Sequence, residues 1–141
     1  MTHRLLVGCL IWAAGCATAG AERINESAAA KFAEYERTGE VTTCMNVRRI
    51  TSIDAIDEKT LLIKAGVSDY YVSDLSNRCA GATSAFNRFQ YRMPTGQLCR
   101  NEIIEIVDNG TGMLAGTCAM GSYEKLVKKR PQDEPESEAE E

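Results

Sequence analysis

Four cysteines that remain after a predicted export signal constrain this chain more than any other feature. The sequence has six cysteines, and two of them, Cys9 and Cys16, lie in a segment that has the layout of such a signal. Exported proteins enter a compartment where thiols oxidise to disulfides. The cysteines that remain are Cys44, Cys79, Cys99 and Cys118. The sequence therefore predicts a small exported domain held together by two disulfides.

The export signal is predicted over residues 1–19. Arg4 gives a short basic start, and an apolar run broken only by Gly8 follows over residues 5–14. This run is too short to cross a bilayer as a permanent helix, and small residues come directly after it. These three parts together indicate a secretory signal peptide.

Two ways of processing the signal are compatible with the small residues at its end. The run Ala13-Ala14-Gly15-Cys16 resembles a lipobox, in which the cysteine is acylated and becomes the new N-terminus. The alternative is ordinary cleavage after Ala19. We favour the lipoprotein, which predicts a periplasmic protein anchored to the outer membrane by a lipid on Cys16, since an acylated cysteine tethers a chain without spanning the bilayer.

The mature chain is predicted to contain no histidine, because the single one, His3, lies inside the signal. Its loss excludes Ser–His and Cys–His nucleophiles and the usual zinc hydrolases. The remaining cysteines are far apart and form no C-x-x-C pair, which disfavours a structural zinc site or a redox-active thiol pair. We therefore expect no enzymatic activity, no metal and no cofactor.

Residue patterns divide the mature chain into three parts. Residues 20–43 are predicted to be an N-terminal helix, at residues 23–37, and a linker, with Asn25 as its cap and Gly39 as its stop. Residues 44–127 are predicted to form the disulfide-bonded domain. Residues 128–141 combine a basic triplet with six acidic residues, which is typical of a disordered tail. Between signal and tail the charge is nearly balanced, so a nucleic-acid partner is not expected.

Short segments of strand-forming residues alternate with turns throughout residues 44–127. The predicted strands cover residues 44–56, 60–65, 69–75, 86–92, 98–107 and 113–126. Strands at this spacing are typical of an antiparallel sheet curled into a small barrel or sandwich. The predicted fold class is mainly β: a small antiparallel sheet or barrel of about six strands, with one N-terminal helix and two disulfides.

Strand order suggests one of the three possible pairings of the four cysteines. If six strands run alternately up and down, Cys44 and Cys99 lie at one end of the sheet, and Cys79 and Cys118 lie near the other. Bridged Cα atoms lie within about 7 Å of each other, and a strand rises about 3.3 Å per residue, so cysteines at opposite ends cannot pair. The predicted disulfides are Cys44–Cys99 and Cys79–Cys118.

The order of short motifs around the cysteines resembles that of a known family. These motifs are Arg49-Ile50-Thr51-Ser52-Ile53, Leu75-Ser76-Asn77-Arg78-Cys79, Phe89-Gln90-Tyr91-Arg92, Gln97-Leu98-Cys99 and Gly116-Thr117-Cys118-Ala119-Met120-Gly121. They resemble a family of small exported bacterial proteins, often lipoproteins, catalogued as a domain of unknown function. The resemblance covers about 80 residues and implies an exported location and paired cysteines. It implies no activity.

Aromatic and arginine side chains on neighbouring strands give the best candidate for a binding face. Tyr71, Arg88 and Arg92 are the residues we select, because exposed aromatics with arginines stack against sugar rings or bases. The opposing interpretation is that the aromatics fill the core and the arginines are surface charge. The function that we predict is a non-enzymatic structural or interaction module of the cell envelope with an unknown protein partner. The alternative is a small-molecule or glycan-binding module.

Overall fold

The computed structural model describes residues 24–130, and within them the chain is mainly β. One α-helix, ten strands and a 3-10 helix at Val47–Arg49 follow one another along the chain. Their bounds are α1 (Glu26–Ala33), β1 (Tyr35–Thr42), β2 (Cys44–Asn46), β3 (Ile50–Ala55), β4 (Thr60–Ala65), β5 (Asp69–Asp74), β6 (Asn87–Gln90), β7 (Gln97–Cys99), β8 (Ile103–Asp108), β9 (Leu114–Ala119) and β10 (Tyr123–Lys128). The predicted signal, Cys16 and the acidic residues from 131 onward lie outside the described residues.

The helix is shorter than predicted, and a strand follows it directly. Asn25 caps α1 by accepting a hydrogen bond from the backbone N–H of Ala28 at 3.2 Å. The helix ends at Ala33, and the predicted linker is instead β1, which pairs with β10. Arg37 secures β1 through ion pairs with Asp74 and Glu124 at 2.6 and 2.9 Å. The described fold therefore includes the helix and β1, and is not confined to residues 44–127.

A five-stranded antiparallel sheet forms the centre of the molecule, in the order β1-β10-β5-β4-β3. Strand β4, whose predicted bounds are confirmed, is covered on both faces, because Leu61 and Ile63 are 0% exposed on one face and Leu62 is 3% exposed on the other. Helix α1 packs on the Leu62 face through Ala28 and Phe32. Burial of this strand on both sides requires layers above and below it.

Two smaller antiparallel sheets cover the other face of the central sheet. One has the order β6-β8-β9, and the other is the pair β2-β7. Ile104, Ile106 and Leu98 from these sheets are at most 1% exposed and share one core with Ile63 and Tyr123 of the central sheet. The molecule is thus a three-layer arrangement of helix, sheet and paired small sheets, and the sheets do not close into a barrel.

Three of the six predicted strands are each divided in two. The 3-10 helix separates β2 from β3, and a turn at Asn101 separates β7 from β8. Asn101 has φ of +69°, a conformation that asparagine tolerates better than most residues. Gly121 separates β9 from β10, where a Cβ atom would lie 2.0 Å from the carbonyl oxygen of Asp74. Because of these breaks, the strands form three sheets rather than the one antiparallel sheet or barrel that was predicted.

Both predicted disulfides are confirmed. Cys44 and Cys99 lie directly opposite each other in the β2-β7 ladder, with Cα atoms 3.9 Å apart. Cys79, in the loop after β5, is bonded to Cys118 in β9, with Cα atoms 5.0 Å apart. Strand β10 extends to Lys128, which pairs with Tyr35 of β1. The first residue of the predicted tail therefore belongs to the sheet.

Candidate functional site

An open groove lies where the central sheet and the three-stranded sheet end side by side. Its walls are β3, the outermost strand of the central sheet, and β6, the outermost strand of the three-stranded sheet. The groove has a volume of about 450 Å³, which falls within the range of ligand-binding clefts. The groove therefore lies between the edges of two packed sheets, at a place where the hydrophobic core reaches the surface.

The floor of the groove is apolar and its rim is polar. Ile50, Ile53, Phe89 and Tyr91 line it and are only partly buried while packing against the main core. The residues that add polar character to the rim are Thr51, Ser52, Asp54, Ser84, Asn87 and Arg88. Such a lining offers apolar contact below and hydrogen-bonding groups at the edges.

The backbone of β3 offers its free edge to this groove. The N–H of Ile56 bonds to the carbonyl of Thr60 in the β3-β4 connection, at 2.9 Å. Because backbone groups alternate in direction along a strand, Ile53 and Ala55 point their N–H and C=O groups away from β4. These groups form the row of donors and acceptors that a strand edge presents.

The backbone of β6 has the same property on the opposite wall. The N–H of Asn109 bonds to the carbonyl of Phe86 at 2.9 Å, so alternate residues from Phe86 onward face β8. The N–H and C=O groups of Phe89 therefore point away from β8, while its side chain packs on the core. Within residues 24–130 these two strand edges have no strand partner, although the N–H of Asn87 bonds to the carbonyl of Ser84 at 3.1 Å, and both edges flank one groove.

A second depression reaches the β3 edge from the side of the helix. It has a volume of about 410 Å³ and shares Asn25, Ser52 and Asp54 with the groove. The hydroxyl of Ser52 donates to Asp54 at 2.9 Å, which fixes these two side chains on the helix side of β3. The β3 edge is consequently accessible from both faces of the sheet.

The electrostatics of the groove are mixed. Arg88 is exposed, and its guanidinium donates to the side-chain oxygen of Asn109 at 3.0 Å, while Asp54 lies on the opposite wall. Burial raises the pKa of the Tyr91 hydroxyl above its ordinary value, and like any tyrosine hydroxyl it is protonated and able to donate a hydrogen bond at neutral pH. The groove therefore has one cationic wall and one anionic wall, with a neutral aromatic residue near its floor.

The residues chosen from the sequence fall at different places. Arg88 lines the groove, and Phe89 and Tyr91 line it with Arg88. Tyr71 lies on the central sheet, half-buried against the main core, and lines a separate small cleft beside Cys44. Arg92 is exposed just beyond β6 and is not among the groove-lining residues. The structure thus does not bring the three predicted residues into one site.

The β3 contribution to the groove is not predicted from the sequence. Thr51, Ser52 and Asp54 are interspersed with apolar residues there, as polar residues are on any half-exposed strand. Their pattern predicts a strand, but it carries no signal that the strand is an edge facing another edge.

Within residues 24–130, no group of three or more histidine, cysteine, aspartate or glutamate side chains is arranged to hold a metal ion. In the same part of the chain, no helix has the length and apolar character needed to cross a membrane.

Comparison with known proteins returned no match: the chain matches no protein-family model, no curated protein and no solved structure. The family resemblance of the cysteine-flanking motifs stays a prediction.

Proposed function

We propose that this protein is a non-enzymatic interaction module of the cell envelope that binds an extended polypeptide segment in the groove between β3 and β6. The observation that carries the proposal is the meeting, at one groove, of two strand edges that have no strand partner among the described residues. A peptide in the extended conformation satisfies such an edge by adding a strand to the sheet, and pockets for alternate side chains then select its sequence.

The apolar floor supports this proposal. A strand added to the β3 edge would place every second side chain toward the main core, where Ile53, Phe89 and Tyr91 are incompletely covered. Its other side chains would face the helix side, where Ser52 and Asp54 are. We therefore expect the bound segment to alternate apolar residues with polar or basic ones.

The exported location and the lipid anchor on Cys16 belong to this proposal. Two disulfides support an oxidising compartment, since paired cysteines are rare where thiols are kept reduced. A module tethered near the outer membrane would meet other envelope proteins at high local concentration. The proposed partner is an envelope protein with an accessible extended segment.

Site-specific photo-crosslinking in the native host tests this function. A photoreactive amino acid is placed at Ser52, on the β3 wall, and as a matched control at Thr117, an exposed position on the far strand of the three-stranded sheet. We expect peptide adducts from Ser52 and few from Thr117. The extended-peptide function is refuted if both positions react equally or neither reacts.

A blocking substitution tests whether the ligand occupies the groove, and the chemical nature of the adducts distinguishes a protein ligand from a glycan. Ala85 is exposed in the loop that lines the groove, so Ala85→Arg should fill the groove without disturbing the core, and Thr117→Arg is its control. We expect Ala85→Arg to abolish the peptide adducts at Ser52. Sugar-containing adducts at Ser52 would instead support the glycan-binding alternative, which the aromatic residues Phe89 and Tyr91 beside Arg88 favour.

A further inference from the structure

The two disulfides of this protein differ in what they expose to solvent. Cys79 and Cys118 are 0% and 1% exposed, whereas Cys44 and Cys99 are both only partly buried. Thiol–disulfide exchange proceeds by attack of a thiolate on a disulfide sulfur, so access to the sulfur controls which bond reacts. From this contrast, and from the groups that surround Cys44 and Cys99, we infer that Cys44–Cys99 is an exchange site for external dithiols. We infer that Cys79–Cys118 is structural.

The strands that carry Cys44 and Cys99 are held together by other interactions as well. The N–H of Arg100 donates to the carbonyl of Thr43 at 2.7 Å. The N–H of Val47 donates to the carbonyl of Gly96 at 3.0 Å. These bonds flank the cysteine pair, which therefore occupies a position in the ladder where the two residues exchange no backbone hydrogen bonds with each other.

The side chains between those flanking bonds anchor both strands in the core. Met45 of β2 is 7% exposed and Leu98 of β7 is 0% exposed, and the two lie opposite each other in the ladder. Breaking the disulfide leaves this packing in place. Reduction of Cys44–Cys99 is therefore compatible with the folded state.

A small cleft opens beside Cys44. It has a volume of about 190 Å³, and its lining includes Cys44, Arg49 and Tyr71. The hydroxyl of Thr43 lies 4.0 Å from Cys44 Sγ, at hydrogen-bonding distance for sulfur. The hydroxyl donor stabilises negative charge on this sulfur, so Cys44 is suited to leave as a thiolate, whereas the Arg49 guanidinium is paired with Asp69 at 3.2 Å.

The surroundings of Cys99 have the opposite sign. Its backbone N–H donates to the carboxylate of Glu102, which places negative charge next to this residue. A thiolate at Cys99 is consequently less favourable than one at Cys44. The greater stability of a thiolate at Cys44 favours Cys44 as the leaving sulfur and therefore Cys99 Sγ as the atom attacked.

The reaction is a two-electron exchange. One thiolate of the dithiol attacks Cys99 Sγ, the Cys44–Cys99 bond breaks, and its electron pair leaves on Cys44 Sγ, which takes up a proton. The second thiol of the dithiol then attacks the mixed disulfide and releases Cys99 as a thiol. The dithiol is oxidised to a disulfide, and its two protons and two electrons reduce the two cysteines.

Graded reduction of the oxidised full chain tests the inference. The protein is incubated with increasing dithiothreitol under native conditions, alkylated and mapped by mass spectrometry, with circular dichroism recorded in parallel. We expect Cys44 and Cys99 to be alkylated at about tenfold lower dithiothreitol than Cys79 and Cys118, with the fold retained. Simultaneous reduction, earlier reduction of Cys79–Cys118, or reduction only with unfolding would overturn it.

Two further measurements address the direction of attack. With glutathione as a monothiol and rapid quenching, the first mixed disulfide should form on Cys99, and an adduct on Cys44 would overturn the assignment. Thr43→Val should slow reduction about threefold, because one donor to the leaving sulfur is lost. Thr117→Val, at an exposed site beside Cys118 rather than beside Cys44, should leave the rate of Cys44–Cys99 reduction unchanged. These residues lie outside the groove, so this inference and the peptide-binding function fail independently.

Discussion

Gly116, in β9 of the three-stranded sheet, packs against the loop after β5. The same loop also lines the groove. A Cβ atom at this position would lie 2.4 Å from the carbonyl oxygen of Ala80. That carbonyl cannot easily retreat, because the neighbouring Cys79 is bonded to Cys118 and its N–H donates to the carbonyl of Glu58 at 2.7 Å. Gly116→Ala therefore forces either the strand or the loop to move.

The cost of this substitution follows from the contact. Overpacking a closely packed site costs about 1–3 kcal/mol, and occasionally more. Here the obstacle is backbone held from both sides, so we expect about 3 kcal/mol. For a domain of this size each kcal/mol lowers the melting temperature by about 4–8 °C, so the loss is about 12–24 °C.

Thermal and urea unfolding, followed by circular dichroism under oxidising conditions, measure this loss. Gly110→Ala is the matched control, because its Cβ would lie 3.4 Å from the Asp108 side chain, at ordinary van der Waals distance. We expect the control to change stability by less than about 0.5 kcal/mol. If Gly116→Ala is no more destabilising than Gly110→Ala, the argument that the disulfide holds the loop against β9 is wrong.

Two further predictions concern single polar groups. The buried Tyr123 hydroxyl donates to the carbonyl of Leu98 at 2.9 Å, so Tyr123→Phe should cost about 1–2 kcal/mol in urea unfolding, and an unchanged midpoint would contradict this. Hydrogen bonds from Thr111, and then from Gly110, lower the pKa of Asp108 below its ordinary value of 3.8. The pKa of Asp108 is lower in the folded state than in the unfolded state. The stabilisation of this turn by the Asp108 carboxylate is therefore complete at pH values above 3.8, and it is lost as the pH falls through the lowered folded-state pKa. A carboxyl ¹³C NMR titration should give a midpoint below 3.8, and a midpoint at or above it would refute the assignment.

The sequence predicted the elements whose local pattern agrees with their surroundings. Strand β4 alternates apolar side chains over residues 60–65, and Asn25 followed by Glu26 marks the start of the helix; both are confirmed. The disulfide pairing is also confirmed, although its geometric reason differs from the prediction. Cys44 and Cys99 are cross-strand neighbours, whereas the prediction placed them at the ends of separate strands.

Strand β1 and the groove were not predicted, because both depend on which strands pair in the folded protein. Seven of the eight residues of β1 are exposed, so the strand has no apolar alternation, and its pairing with β10 and the ion pairs of Arg37 decide its conformation. The groove depends on which strand edges meet. No local pattern in residues 50–55 or 87–90 records that meeting.

The amino-acid sequence alone determined a mainly β domain with paired cysteines, because side-chain periodicity, turn residues and cysteine spacing act over short stretches of chain. The tertiary structure decided which strands became edges, which disulfide stayed accessible, and that Arg88 rather than Tyr71 lies in the groove with Phe89. These outcomes depend on contacts between residues tens of positions apart, and such contacts exist only once the layers have packed.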